Sequence, residues 1–172
     1  MKEIPSYPGF YITKCGRVFG PNKGNPLYER KRRLAKSSTK EYYKVSVHYK
    51  LRRLHRLLCE TYVGPIPFPG AVVDHIDGNT LNNNINNLRW CTHRMNSLNR
   101  HGYSKGYEVV ERKKGSTYKV KSTKWKGKLV RRGKTFDTAE KAHNYYLETL
   151  EMRRADAQKE FDEQVRKSGH QE

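Results

Sequence analysis

Between Ala71 and Asn99 the chain changes character too often for any long element. Ala71-Val72-Val73 is a short apolar run that ends on Asp74-His75. Residues 76–86 are rich in Asp, Gly and Asn, which bond their own backbone and favour turns, so they read as a loop. Leu88-Arg89-Trp90 is a second short strand. Thr92 then stands as the N-cap of a helix over 93–99, with Met95 and Leu98 facing inward. A strand, loop, strand and helix this short cannot bury a core of their own. The segment before them carries a helical stripe of Leu51, Leu54, Leu57, Leu58 and Tyr62, with Arg52, Arg53 and Arg56 off it, and is predicted to pack against them. Gly64-Pro65-Ile66-Pro67-Phe68-Pro69-Gly70 ends that helix as a stiff connector. His55, near the stripe, reads as a packed or capping histidine rather than a ligand.

The partner follows from charge. The 172 residues hold 36 Lys and Arg against 17 Asp and Glu, a formal +19, and a field of that size draws polyanions. The charge is blocked. Residues 30–56 and 103–134 each carry a net +10, residues 71–101 only +1, and residues 137–172 carry −3. Binding and chemistry are thus separated along the chain. Hydrophobic content of 34% suits several small cores better than one large one, within one domain or two to three small ones. No run reaches the length of a membrane span and no apolar leader follows the start, so the chain reads as intracellular, in cytoplasm or nucleoid. Cys15, Cys59 and Cys91 are odd in number and far apart, which argues against a disulfide framework and a CxxC zinc site.

The flanking segments are β-rich. Residues 1–50 read as short strands and turns, closing with an alternating strand over 42–50 in which Tyr43, Val45, Val47 and Tyr49 share one face. After a linker at 101–106, β-prone stretches cover 107–112, 117–123 and 128–136. Asp137-Thr138-Ala139-Glu140 opens a helix whose apolar face is Ala139, Ala142, Tyr146, Leu147 and Leu150. Beyond 152 only Phe161 and Val165 are large and apolar, so the tail is predicted to be weakly anchored.

Asp74, His75 and the later amides suit one reaction. A phosphodiester repels nucleophiles and has a poor leaving group; a divalent cation on the phosphate and leaving oxygen relieves both problems. Hard oxygen donors, Asp74 and Asn96, suit Mg²⁺ or Mn²⁺, one ion per site, with water and phosphate completing the shell. Neutral His75 can take the proton of the attacking water, and Asn87 can hold the ring or its backbone in place. Adjacent strand residues point to opposite faces, so Asp74 and His75 need a bend at the strand end to share a pocket.

Val72-Val73-Asp74-His75, Asp77-Gly78-Asn79, Asn87-Leu88-Arg89-Trp90 and Asn96 resemble the HNH endonuclease signature in its homing branch. His55-Arg56-Leu57 resembles that family's upstream helix, and Ile4-Pro5 through Phe19 its common N-terminal module. The resemblance implies a ββα-metal core, metal ligands Asp74 and Asn96, general base His75 and orienting residue Asn87. Many members place His at the third position, so His93, one turn from Asn96, stays the alternative ligand. The stretch Tyr118 to Tyr146, strongest at Gly133-Lys134-Thr135-Phe136, resembles the plant ethylene-response-factor (APETALA-type) domain. That implies a three-stranded antiparallel sheet, packed on a helix, reading DNA.

The expectation is an α+β, modular protein. Residues 1–50 form an N-terminal β-rich DNA-binding module, 51–101 the HNH nuclease domain, 102–152 the sheet-and-helix DNA-binding domain and 153–172 a polar helical tail. The expected DNA contacts are Arg30, Arg32, Arg33, Arg52, Arg53 and Arg89, then Arg112, Lys119, Lys121, Trp125, Arg131 and Arg132. For Arg89 a salt bridge is an equal reading. The expected function is a site-specific homing endonuclease, nicking or cutting both strands of double-stranded DNA. It is expected to act as a monomer with no membrane or small-molecule cofactor. The alternative is a non-catalytic DNA-binding regulator of the same fold.

Overall fold

The computed structural model describes residues 1–37, 40–101, 107–112, 115–120, 123–125, 128–131 and 133–169. The chain is a mixed α and β protein of several small antiparallel sheets. It divides into two compact units, built on Met1–His93 and Arg94–Lys167. No helix among the described residues is long and apolar enough to cross a membrane.

The first unit begins with a four-stranded sheet of β1 (Lys2–Ile4), β2 (Tyr7–Ile12), β3 (Val18–Asn22) and β4 (Asn25–Arg30), paired in chain order. Alternation buries Ile4, Phe10, Ile12 and Val18 on one face. Gly20 lies where a Cβ would collide with the Phe10 ring, so only glycine lets the strand pass that close. A second sheet follows: β5 (Arg33–Ser37), β6 (Lys40–Val47) and β7 (Lys50–Arg53). Val45 and Val47 are fully buried, as the alternation predicts.

Here the structure corrects two expectations. The strand stops at Val47, and His48 and Tyr49 take positive φ of 46° and 61° to make a two-residue hairpin turn. Tyr49 therefore points to solvent instead of joining Val45 and Val47. The helix expected over 51–62 begins later. Leu51, Arg52 and Arg53 pair with β6, Leu51 is exposed, and only α1 (Leu54–Leu58) with a wider π-helical turn over Cys59–Val63 is helical. The hairpin ladder supplies these residues with backbone partners that an isolated helix start would have left unmet.

Leu54, Leu57 and Leu58 of α1 enter one cluster with Ile4, Phe10, Ile12, Val18, Val45, Val47 and Leu88. Each such side chain contributes about 1.5–3 kcal/mol by leaving water. Polar ties fasten the N-terminus to the same helix. The Ser6 amide donates to Glu60 Oε1 at 3.0 Å, the Ser6 hydroxyl reaches the same oxygen, and the Tyr62 hydroxyl donates to the Ile12 carbonyl at 2.7 Å. The hairpin of β8 (Val72–His75) and β9 (Leu88–Cys91) completes the unit, with Leu88 in the cluster and the Trp90 indole N–H on the Gly64 carbonyl at 2.8 Å.

The second unit holds most of α2 (His93–His101), where Met95 and Leu98 are buried as expected. β10 (Glu108–Arg112), β11 (Gly115–Val120) and, further on, β14 (Lys134–Phe136) form a three-stranded antiparallel sheet. The third strand expected over 128–136 is divided. β13 (Lys128–Arg131) turns back on β12 (Thr123–Trp125) as a separate hairpin, and only Lys134–Phe136 joins β11. α3 (Ala139–Ser168) starts with Thr138, whose hydroxyl accepts the Lys141 N–H at 3.3 Å. It buries Ala142, Tyr146, Leu150 and Ala157, and continues through the expected tail as one helix.

Candidate active site

The β8–β9 hairpin places Asp74 opposite Arg89 and His75 opposite Leu88. Asp74 and His75 are both buried, at 4% and 5% exposure, which is unusual for a charged residue beside an ionisable one. The bend the pair requires lies at the strand end. His75 is the last residue of β8, the Gly78 N–H returns to its carbonyl at 2.8 Å, and Gly78 takes the left-handed φ of 73° that such a turn demands.

The two side chains take different partners. Arg89 donates from Nε at 3.1 Å and Nη2 at 2.9 Å to the same oxygen, Oδ2, of Asp74. Of the two readings of Arg89, the structure shows the salt bridge. His75 Nε2 lies 3.2 Å from Asn83 Oδ1. The His55 ring meets the His75 ring edge-on at 5.0 Å, and Tyr42 lies 5.3 Å from His55 and 6.5 Å from His75. The packed reading of His55 holds, and what it packs on is the candidate base.

Burial sets the charge state of both rings. It pushes His55 down to about 3, helped by His75, Arg53 and Arg56, so His55 stays neutral at any working pH. Burial also pushes His75 below the ordinary histidine value. The Asn83 hydrogen bond and the Asp74 and Asp77 carboxylates pull it back up, and Lys40 adds to the depression. His75 is thus kept as a neutral imidazole near pH 7, the form that accepts a proton.

Asn87 acts on the loop. Its Oδ1 accepts the Asp77 N–H at 3.0 Å, and its Nδ2 donates to Asp77 Oδ1 at 2.9 Å and to the Asn82 carbonyl at 2.9 Å. Its own carbonyl accepts the Ile76 N–H at 2.9 Å. Asn87 therefore clamps the two residues that follow His75, Ile76 through its main-chain carbonyl and Asp77 through its side chain. Asp77, also bonded by Asn82 Nδ2 at 2.7 Å and the Asn79 N–H at 2.8 Å, is desolvated only slightly and is held below the usual carboxylate range by the Asn82 and Asn87 amides. The Thr80 hydroxyl ties the loop to the Glu41 carbonyl of β6 at 2.7 Å.

Asn83 and Tyr42 were not singled out by the sequence. Asn83 is one of six asparagines between 79 and 87, and no period marks which of them meets the histidine. Tyr42 had a signal: it lies on the polar face of β6, opposite Val45 and Val47, and that face turns toward His55 and His75.

Asn96 and His93 lie on α2, Asn96 half-buried in the second unit and His93 exposed. Among the described residues no three His, Cys, Asp or Glu side chains gather into a metal cluster. By donor chemistry alone, a carboxylate and a neutral amide suit a hard divalent ion with waters and substrate phosphate in its shell, whereas zinc takes His and Cys.

Several expected DNA contacts in the first unit are ordered on rings. Arg52 stacks over Tyr7 at 5.4 Å, Arg53 over Tyr42 at 5.0 Å, Arg32 over Tyr43 at 5.5 Å, and Arg30 over Phe10 at 5.6 Å. Arg33 is exposed on β5. In the second unit Lys119 is exposed on β11, opposite Glu108 and Thr135. Arg112 falls on β10, Trp125 on β12 and Arg131 on β13. Lys121 and Arg132 lie outside the described residues.

An HNH endonuclease family model matches residues 52–98, which hold Asp74, His75, Asn87 and Asn96. The chain is 29% identical over 125 residues to an uncharacterized HNH endonuclease of Acanthamoeba polyphaga mimivirus, covering 69% of this chain and 34% of that protein. It is 34% identical over 107 residues to DNA endonuclease I-HmuI of Bacillus phage SP01, covering 57% and 55%. It is 35% identical over 86 residues to protein 3.8 of Escherichia phage T7, covering 50% and 68%. The chain thus spans about a third of the first relative's length and about half of the second's. No solved structure matches it. The chain belongs to one family with protein 3.8 of Escherichia phage T7, and its residues 52–98 are an HNH endonuclease domain.

Proposed function

We propose that this protein is a site-specific DNA endonuclease of the homing type, acting as a monomer on double-stranded DNA inside a phage-infected cell. The observation that carries the reading is the buried Asp74-His75 pair at the end of β8, inside the segment that matches the HNH model. The DNA endonuclease from Bacillus phage SP01 supports the substrate.

His75 is the general base. Its Nε2 donates to Asn83 Oδ1, which places the imidazole lone pair on Nδ1, the atom that takes the proton of the attacking water. Asn87 fixes the backbone just after His75 through Ile76 and Asp77 and so positions the ring. Asp74 and Asn96 would hold a divalent ion, Mg²⁺ or Mn²⁺, with His93 as the alternative to Asn96. When bound, such an ion stabilises charge on the phosphate and the leaving oxygen. Arg89 holds the Asp74 carboxylate in one orientation. Residues 51–101 supply the ββα chemistry. The ring-seated arginines before them and the basic sheet at 102–152 grip the duplex, the latter in the manner of an ethylene-response-factor domain, a likeness that rests on sequence alone.

The experiment is incubation with a duplex library and Mg²⁺ or Mn²⁺, reading products strand by strand. Discrete, metal-dependent ends at a small set of sites are the expected result. Tight binding with no cleavage in either metal would leave a DNA-binding regulator instead.

A further inference from the structure

A cleft of about 710 Å³ opens in the first unit against the asparagine loop. Three cations line it, Lys2, Lys14 and Arg32, and no acid does. Two of them are already seated. Lys2 Nζ lies 5.5 Å from the centre of the Tyr62 ring, and Arg32 Cζ lies 5.5 Å from that of Tyr43. Tyr62 is itself fixed by its hydroxyl on the Ile12 carbonyl. Cations held on ring faces lose less side-chain entropy when an anion arrives than cations free in solvent. Loop residues also line it, among them Asn83, the residue that meets His75 Nε2 at 3.2 Å. The cleft therefore reaches a residue that bonds the candidate base.

At about 710 Å³ the cleft has room for a multi-group ligand. A lining of three cations and three asparagine amides matches a chain of phosphates whose sugars and base edges accept and donate hydrogen bonds. We propose that this cleft seats consecutive phosphates of the DNA strand beside His75, with Asn83 linking strand seating to the base. The proposal rests on the endonuclease reading above and adds the track by which the strand reaches the site.

Cys15 offers a direct reporter. It lines the cleft and is exposed, whereas Cys59 and Cys91 are buried. The Thr13 hydroxyl lies 3.1 Å from its sulfur, and that hydrogen bond holds the thiol below the ordinary cysteine value, so it alkylates readily. The full chain is treated with iodoacetamide, without metal, with and without a random-sequence duplex library, and binding is followed by fluorescence anisotropy in the same buffer. The Cys15 alkylation rate is expected to fall in proportion to the fraction of protein bound. A rate unchanged at saturation would overturn the cleft assignment while leaving the endonuclease reading intact. No binding by anisotropy would overturn both. As a second measurement, Lys2→Ala/Lys14→Ala/Arg32→Ala should flatten the slope of log affinity against log salt by about 3. All three side chains are exposed, so folding is preserved and is checked by circular dichroism. An unchanged slope in the folded variant overturns the proposal.

Discussion

In Met1–His93 the apolar side chains of two sheets, a short helix and a hairpin collect into one cluster running from Ile4 to Leu88. In Arg94–Lys167 the buried apolar residues described are fewer and smaller: Met95, Leu98, Val120, Ala142, Tyr146, Leu150 and Ala157. Basic residues are seated on rings in both units, Arg32, Arg52 and Arg53 on tyrosines in the first and Lys134 on Phe136 and Tyr145 in the second, while Arg33 and Lys119 project from exposed strands. A residue that must stay neutral and fixed, such as His75, needs the dense surroundings. A residue that only meets phosphate does not, because its contact is electrostatic and long-ranged.

The comparison is sharpened most by His75→Ala. Cleavage should fall at least about a hundredfold, as for loss of a general base, while duplex affinity stays within error. Single-turnover cleavage set beside anisotropy reads both, and wild-type cleavage by the variant would remove His75 from the mechanism. Next comes packing. Leu58→Ala should cost about 2–5 kcal/mol in urea unfolding. Val165→Ala, on the exposed side of α3, should cost under about 0.5 kcal/mol. Equal costs would mean that the two units are packed alike.

The pH response follows from the two buried histidines. His75 must be neutral to act, and burial lowers its pKa, so the acid limb of cleavage should lie below 6.5; a limb above 6.5 in a kcat/KM profile contradicts this assignment. Stability moves the same way. Between 6.5 and about 3 the unfolded chain protonates His55 and the folded one does not, so the unfolded state binds more protons. Stability is therefore full above 6.5 and falls as pH drops through that window, by up to about 1.4 kcal/mol per pH unit from this residue. Urea melts at a series of pH values test it, and His55→Leu should flatten the dependence. The smallest effect is at the β6–β7 turn. Tyr49→Gly relieves a left-handed conformation at a fully exposed position and should stabilise by about 0.5–1 kcal/mol in urea unfolding.

Much of the first unit was legible in the sequence. The alternation of Tyr43, Val45 and Val47 marked a strand, and the Asp- and Asn-rich run after His75 marked a loop. Leu51 misled, because its spacing to Leu54 and Leu58 completes a helical stripe by coincidence, and because His48-Tyr49 carries none of the Gly or Asn that announces a two-residue turn. In the second unit the run 128–136 looked continuous, since nothing local distinguishes a strand that pairs with one neighbour from one that splits between two.

The sequence by itself determined the chemistry on offer: an acid and a histidine at a strand end, amides after them, and cations kept to either side. These are properties of residue type and order. The tertiary structure alone decided that His55 and Tyr42 roof His75, that Asn83 meets its ring, that Asn87 clamps the following loop, and that Arg89 takes Asp74. Each of those contacts joins residues from different elements. The burial that lowers the His75 pKa arises only when strands β6 and β8 and helix α1 close on one another.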